Sequence, residues 1–177
     1  MTIADLETLP RPLTWTFLRN EPYLARVQVA AITDGETLYV PPHWHEMHDE
    51  LFRVIKGRLA VMIGKEWRDY VPEDGEIRIP KGVVHSLRGF KGEETIFEER
   101  TEPMDPEKEI FFRNLLTDGK VPTSFFYVMT VAYHGDMRPA LPGHIKWLER
   151  GLVTLVGYYI APLFGYRVKY EGYKKSI

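Results

Sequence analysis

Short runs in which apolar and polar residues alternate dominate the first hundred positions of the chain. YLARVQVAAIT (Tyr23 to Thr33), LFRVIK, LAVMI, EWRDYV, EIRIP, VVHSLRG and ETIFEER are each rich in β-branched and aromatic residues. Between them stand turn signals: Asp34-Gly35, Gly57-Arg58, Gly64-Lys65, Pro72 to Gly75, and Pro80-Lys81-Gly82. Strands closed by turns every eight to twelve residues or so predict an all-β sandwich or barrel. Thr37 to Val40 starts the strand that leads into the first histidines. Ahead of this, residues 1 to 20 read as an irregular arm, broken by Pro10 and Pro12 and anchored by Trp15 and Phe17.

Near Pro103 the period changes. DPEKEIFFRNLLTDG predicts a helix with Asp105 as N-cap, a proline in its first turn and Gly119 at its end. Pro122 to Tyr133 is a second candidate helix, although FFYVMTVAY fits a buried strand equally well. His144 to about Phe164 is a third and unusually apolar one, followed by a basic tail, Tyr166 to Ile177, expected to be exposed and partly mobile. The chain therefore divides into an arm (1–20), a β-barrel (21–102) and a helical extension of the same unit (103–177). Gly151 to Tyr166 is uncharged for sixteen residues. A span needs about 20, so the segment is expected to dock on the barrel or in a dimer interface, with peripheral membrane contact as the lesser alternative.

With 177 residues the chain is long enough for one domain with a proper core. A formal net charge of -2 and the lack of a basic run argue against nucleic acid as a partner. The absence of cysteine excludes disulfides, thiolate chemistry and a cysteine-bound zinc. The first residues carry acids and prolines and no apolar core, so they do not read as a secretory signal, and a cytoplasmic location is the expectation.

The chemistry concentrates in Pro41 to Gly57. His43 and His45 are two apart and leave one face of an extended strand. Glu50 lies five residues further on, within reach of the same face after a short break. Gly75 to His85 then supplies a turn glycine, a strand, a Pro-x-Gly turn and one more histidine. His-x-His-x4-Glu-x6-Gly followed by Gly-x4-Pro-x-Gly-x2-His resembles the paired motifs of the cupin superfamily over roughly residues 37 to 100. The resemblance implies a jelly-roll β-barrel and a metal bound by His43, His45, Glu50 and His85. Such a set suits a divalent transition metal (Fe, Mn, Ni, Co or Zn). The apolar tail is similar to that of fungal and bacterial single-cupin proteins found near secondary-metabolite genes.

Alternation extends the site. Counted from the ligands, Tyr39, Phe52, Val54, Leu87 and Phe97 face inward as a substrate pocket, and Arg53 and Arg88 face out. Glu99 shares the phase of Phe97 and is a general acid/base candidate beside Glu50, against a rim ion pair with Arg100 or Lys91. His48 reads as a solvated loop residue, with support of the ligands from behind as the lesser alternative, and His134 and His144 read as caps or turns. A mostly apolar cavity implies a small, largely apolar organic substrate. The expectation is a metal-dependent enzyme of oxygenase, isomerase or cyclase type. The rivals are a metal-independent cyclase or pericyclase-like pocket catalyst and a small-molecule sensing module. Open sheet edges and the apolar tail point to a homodimer.

Overall fold

The computed structural model describes residues 13–33, 37–116 and 123–171. Ten strands form two antiparallel five-stranded sheets, ordered β1-β2-β9-β4-β7 and β10-β3-β8-β5-β6. The strands are β1 (Leu13–Phe17), β2 (Ala25–Val29), β3 (Tyr39–Trp44), β4 (Asp49–Lys56), β5 (Leu59–Ile63), β6 (Glu66–Tyr70), β7 (Glu76–Ile79), β8 (His85–Arg88), β9 (Thr95–Glu102) and β10 (Arg138–Pro139). This is the jelly-roll arrangement, mainly β, with helices packed against it. Inward residues of both sheets meet in one core of Val27, Val29, Phe52, Val54, Leu59, Val61, Ile77, Ile79, Leu87 and Phe97.

The glycine of the first motif is there for backbone reasons. Gly57 has φ +72° and lies so near the opposite chain that a Cβ would fall 2.1 Å from the Glu94 carbonyl oxygen. No other residue fits that turn without moving it.

Helix α1 (Lys108–Leu115) follows β9, α2 (Phe125–His134) follows α1, and α3 (Lys146–Val153) runs on through a π-helical turn (Thr154–Ile160) into a 3-10 turn (Ala161–Phe164). The ambiguous FFYVMTVAY stretch is thus a helix. Asp105 serves α1 from two residues before its cap, accepting the Glu107 N–H at 2.9 Å. The expected helix end at Gly119 lies outside the described residues, as do Pro10, Pro12, Asp34-Gly35 and Pro122. α3 is fastened to β3 by a buried carboxylate: Glu149 accepts Trp44 Nε1–H and the Leu141 N–H, each at 2.7 Å.

One expectation is corrected, and the expected exposure of the tail is met at most of its described residues. Residues 13–17 are a strand paired along its length with β2, because Leu13, Trp15 and Phe17 alternate with Thr14 and Thr16 and so give one face that packs; Trp15 stacks on Phe112 at 4.7 Å between ring centroids. The start of the tail is fastened too. Asn114 Oδ1 accepts the N–H groups of Lys169 and Tyr170 at 2.7 and 3.1 Å, and its Nδ2 donates to the Tyr170 carbonyl. Residues 172–177 of that tail lie outside the described residues.

Candidate metal centre

β3 and β8 bring two histidines face to face: His43 is directly opposite His85 in the register, with ring centroids 4.2 Å apart. β4 on the other sheet contributes Glu50, and the chain just past β3 contributes His45. One nitrogen or oxygen of each of these four side chains lies within 4.8 Å of all the others. The three imidazoles are buried.

Their tautomers follow from their neighbours. Nδ1 of His43 donates to the Pro41 carbonyl (2.8 Å), Nδ1 of His45 to the Asp136 carbonyl (2.5 Å) and Nδ1 of His85 to the Val83 carbonyl (3.0 Å). A carbonyl oxygen can only accept, so each Nδ1 carries a proton, and the rings of His43 and His45, which burial keeps neutral, turn a bare Nε2 lone pair inward. Burial lowers His43 well below the usual histidine range, with His85 and His45 adding to the effect. Burial likewise brings His45 to about 4, against the pull of Glu50. Burial works to raise the Glu50 carboxyl, and it is positive charge and N–H donation at the positions of His45 and His85 that would hold it well below its ordinary value.

A neutral His45 therefore sets a lone pair 3.0 Å from Glu50 Oε1, and that nitrogen is buried without a hydrogen bond. His85 Nε2 is hydrogen-bonded to Glu50 Oε2 at the same distance. A lone pair facing a carboxylate at this distance, as at His45, repels it unless a cation lies between them. Three nitrogens and a carboxylate with Nδ1 anchored behind them fit a divalent transition metal.

The helical extension supplies the surroundings. Asp136, between α2 and β10, binds His48 Nδ1 through Oδ2 at 3.2 Å and accepts the N–H groups of Glu46 and Met47. His48 is buried and stacks on His45 at 4.5 Å, so the expectation of a solvated loop residue is overturned. Asp136 is brought to about 2; burial opposes this, and the His48 and Met47 bonds outweigh it. Lys108, the first residue of α1, is buried and donates to the Gly135 carbonyl at 2.8 Å. Burial pulls its ammonium below the usual lysine value, against Glu50, Asp136 and Glu99.

Glu99 is buried on β9 opposite Phe52, and its Oε1 has no hydrogen-bond partner. Burial, then the charge of Glu50, raises its carboxyl well above the ordinary range. The rim ion pair falls instead to Glu98, which takes Arg26 and Arg53. A void of about 10 Å³ is lined by Leu24, Glu50, Glu99, Arg100, Thr101 and Phe112, enough for one water molecule.

Of the expected pocket residues, Phe52, Val54, Leu87 and Phe97 face inward, where they are part of the packed core. Tyr39 does not: it is 59% exposed. The register explains the miss. Three steps from Val40 to His43 face two steps from Leu87 to His85, a bulge at Pro41-Pro42 that reverses the phase upstream. Val40, opposite Leu87, packs on the core in its place. Arg53 and Arg88 face out as expected, over the rings of Tyr23 and Trp67. His144 binds Glu149 at 3.0 Å beside α3, and His134 ends α2.

Lys108, Asp136 and His48 escaped the reading by strand alternation, since none lies on a strand. The sequence signals available for them were a lysine inside an otherwise apolar helix face and the aspartate of Gly135-Asp136.

Residues 31–97 match the family model described as a cupin domain. A probable oxidoreductase, patJ, of Penicillium expansum is 27% identical over 149 residues, covering 75% of this chain and 45% of its own length. An oxidoreductase of Arthrobotrys oligospora is 28% identical over 146 residues, covering 72% of this chain and 56% of its own length. The chain spans about half the length of these curated relatives. Among solved structures, the polyketide cyclase RemF from Streptomyces resistomycificus overlaps 50% of this chain and 63% of its own, at 20% identity and a TM-score of 0.40.

Proposed function

The chain belongs to the cupin superfamily, and from that premise we propose that it is a metal-dependent enzyme acting on a small organic molecule, apolar over most of its frame and bearing an oxygen function. His43, His45, Glu50 and His85 would hold the ion. A divalent transition metal bound there supplies a Lewis acid for a substrate oxygen, or a centre for oxygen chemistry. The observation that carries this reading is the bare Nε2 of His45 facing Glu50 at 3.0 Å with no proton to share.

The chain's own residues divide the remaining work. Glu99, whose carboxyl burial and the charge of Glu50 raise well above the ordinary range, gives or takes a proton at the substrate. The buried Lys108 ammonium favours a substrate oxygen that carries or develops negative charge. Leu24 and Phe112, beside Glu50 and Glu99 around a void with room for one water, help keep bulk water from the two carboxyls. The polar side is therefore stronger than strand alternation alone suggests. Oxygenase, isomerase and cyclase chemistry are each open to such a site, and the names of the two fungal relatives favour an oxidation-reduction.

The test is turnover of enolisable and phenolic compounds before chelation, after chelation, and after reloading with Fe(II), Mn(II), Ni(II), Co(II) or Zn(II). Activity lost on chelation and restored by one ion supports the reading. Activity that survives complete metal removal transfers the function to the metal-independent pocket catalyst. Metal content and melting temperature of Glu99→Gln, followed in parallel, separate loss of the proton carrier from loss of the ion.

A further inference from the structure

The helical segment from Lys146 to Phe164 is apolar on two opposite faces. One is buried: Val153, Val156, Gly157 and Ala161 turn to the body of the protein, and a Cβ on Gly157 would fall 2.3 Å from the Met129 carbonyl oxygen. The other holds Trp147, Leu148, Leu155, Tyr159, Leu163 and Phe164, all exposed, with Trp147 at 73% and Leu163 at 83%. In a regular α-helix an i+4 series drifts by about 40° per step. The π-helical turn Thr154–Ile160 widens the helix midway and returns Leu155, Tyr159 and Leu163 toward the line of Trp147. A helix apolar all round belongs in an apolar setting, and among the described residues this second face is open to solvent.

The exposed charges along it are mostly cationic. Between Lys146 and Glu171 the charged residues are Lys146, Glu149, Arg150, Arg167, Lys169 and Glu171. Glu149 is fully buried. Cations thus stand at both ends of the apolar strip, with Lys146 over the Trp44 ring, Arg150 paired with Glu46, and exposed Glu171 following Arg167 and Lys169. Two copies of the chain would fit poorly here. Antiparallel helices would set Lys146 and Arg150 against Arg167 and Lys169 of the other copy, and parallel helices would set each cation against itself. No helix among the described residues is long and apolar enough to cross a membrane.

We infer that this face is a membrane-surface binding site, on which the Lys146–Phe164 segment lies flat against a bilayer that carries anionic lipid. Leu155, Leu163 and Phe164 enter the boundary between headgroups and acyl chains, Trp147 and Tyr159 sit at headgroup level, and the flanking cations meet the anionic headgroups. The inference stands independently of the metal centre. It places that centre beside a source of apolar substrates, since Glu149 ties the same helix to Trp44, the neighbour of His43 and His45.

The test is flotation of the full chain with phosphatidylcholine vesicles made with and without phosphatidylserine, at low and high salt. Binding to the anionic vesicles should exceed binding to the neutral ones by about tenfold and weaken as salt rises. Trp147 fluorescence should be quenched by brominated lipid, a quenching lost in Trp147→Phe. Leu155→Asp with Leu163→Asp should abolish flotation while leaving the melting curve unchanged. If that pair does not fold, Arg167→Glu with Lys169→Glu, both on exposed side chains, should remove the preference for anionic vesicles. The inference is overturned by absence of flotation, by equal binding to both vesicle types, or by light scattering that shows a dimer which Leu163→Asp splits without any lipid binding.

Discussion

Asp136 holds His45 by its main-chain carbonyl, which accepts the Nδ1–H at 2.5 Å, while its carboxylate grips His48 and two backbone N–H groups of the same loop. The loop that carries one ligand is thus fixed by a residue 91 positions away in the helical extension. The extension is part of the site's construction.

Replacing Asp136 with Ala is therefore expected to reach the centre without touching a ligand. It leaves His48 Nδ1 and the Glu46 and Met47 N–H groups without their acceptor, at about 1–3 kcal/mol for each group that water does not reach. Loosening of the His45 loop should lower metal affinity by about 10–100-fold. Chemical denaturation and metal titration of the variant check both numbers. Wild-type affinity in Asp136→Ala would detach the extension from the site.

The acid response of the metal-free protein should come in two windows. His45 is lowered by burial to about 4 from an ordinary 6.5, so between those values the unfolded chain binds the extra proton and stability falls as pH drops. Asp136 and Glu109, both held near 2, are the opposite case: charged in the fold, they contribute stability above the ordinary carboxylate range and lose it as pH falls from there toward 2. Burial works against the lowering of Asp136 and is outweighed by its His48 and Met47 bonds; the Arg19 hydrogen bond leads for Glu109. Melting temperatures of the chelated protein from pH 7.5 down should show the first loss before pH 4, and His45→Gln should make that part of the curve shallower, leaving the share that buried His43 contributes. An unchanged slope in His45→Gln would contradict the assignment.

How much of this was legible in the sequence depends on where each residue sits. Spacing on strands put His43, His45 and Glu50 on one face, and the resemblance of the two motifs to those of cupins added His85 to complete the set of proposed ligands. Glu99 was legible from strand spacing too, since Phe97 and Glu99 lie opposite Val54 and Phe52 in an unbroken part of the ladder. Tyr39 was misread because a single extra residue at Pro41-Pro42 reverses every side chain before it. Lys108, Asp136 and His48 reach the centre through helix starts and loop turns, whose directions local alternation does not encode. Trp15 and Phe17 were placed correctly against the domain, but the prolines before them concealed that their own segment is a strand.

Glu99→Gln should be well tolerated by the fold. Burial favours the neutral form of this carboxyl, which is close in shape and charge to an amide, and the cost should stay below about 1.5 kcal/mol, as for other volume-conserving core changes. Metal binding should persist while turnover fails. A large loss of stability in this variant would mean that Glu99 is ionised in the native protein.

Gly135→Ala is expected to be far more damaging than an ordinary surface change. The new methyl would fall 1.9 Å from Cδ2 of Phe111, and the Gly135 carbonyl is the acceptor that seats Lys108. Overpacking of this kind costs about 1–3 kcal/mol or more. A melting temperature equal to wild type would show that the contact between α1 and the end of α2 is looser than described.

The central claim is that the imidazoles of His43, His45 and His85 converge with Glu50 because a cation belongs among them. Elemental analysis of the protein, purified without chelator, tests it most directly when His45→Ala is run alongside. The account predicts about one divalent transition metal per chain in the wild type, with most of it gone in the variant and a lower melting temperature after chelation. Wild-type protein that holds no metal, and whose melting temperature is unmoved by adding any of the five ions, would contradict it.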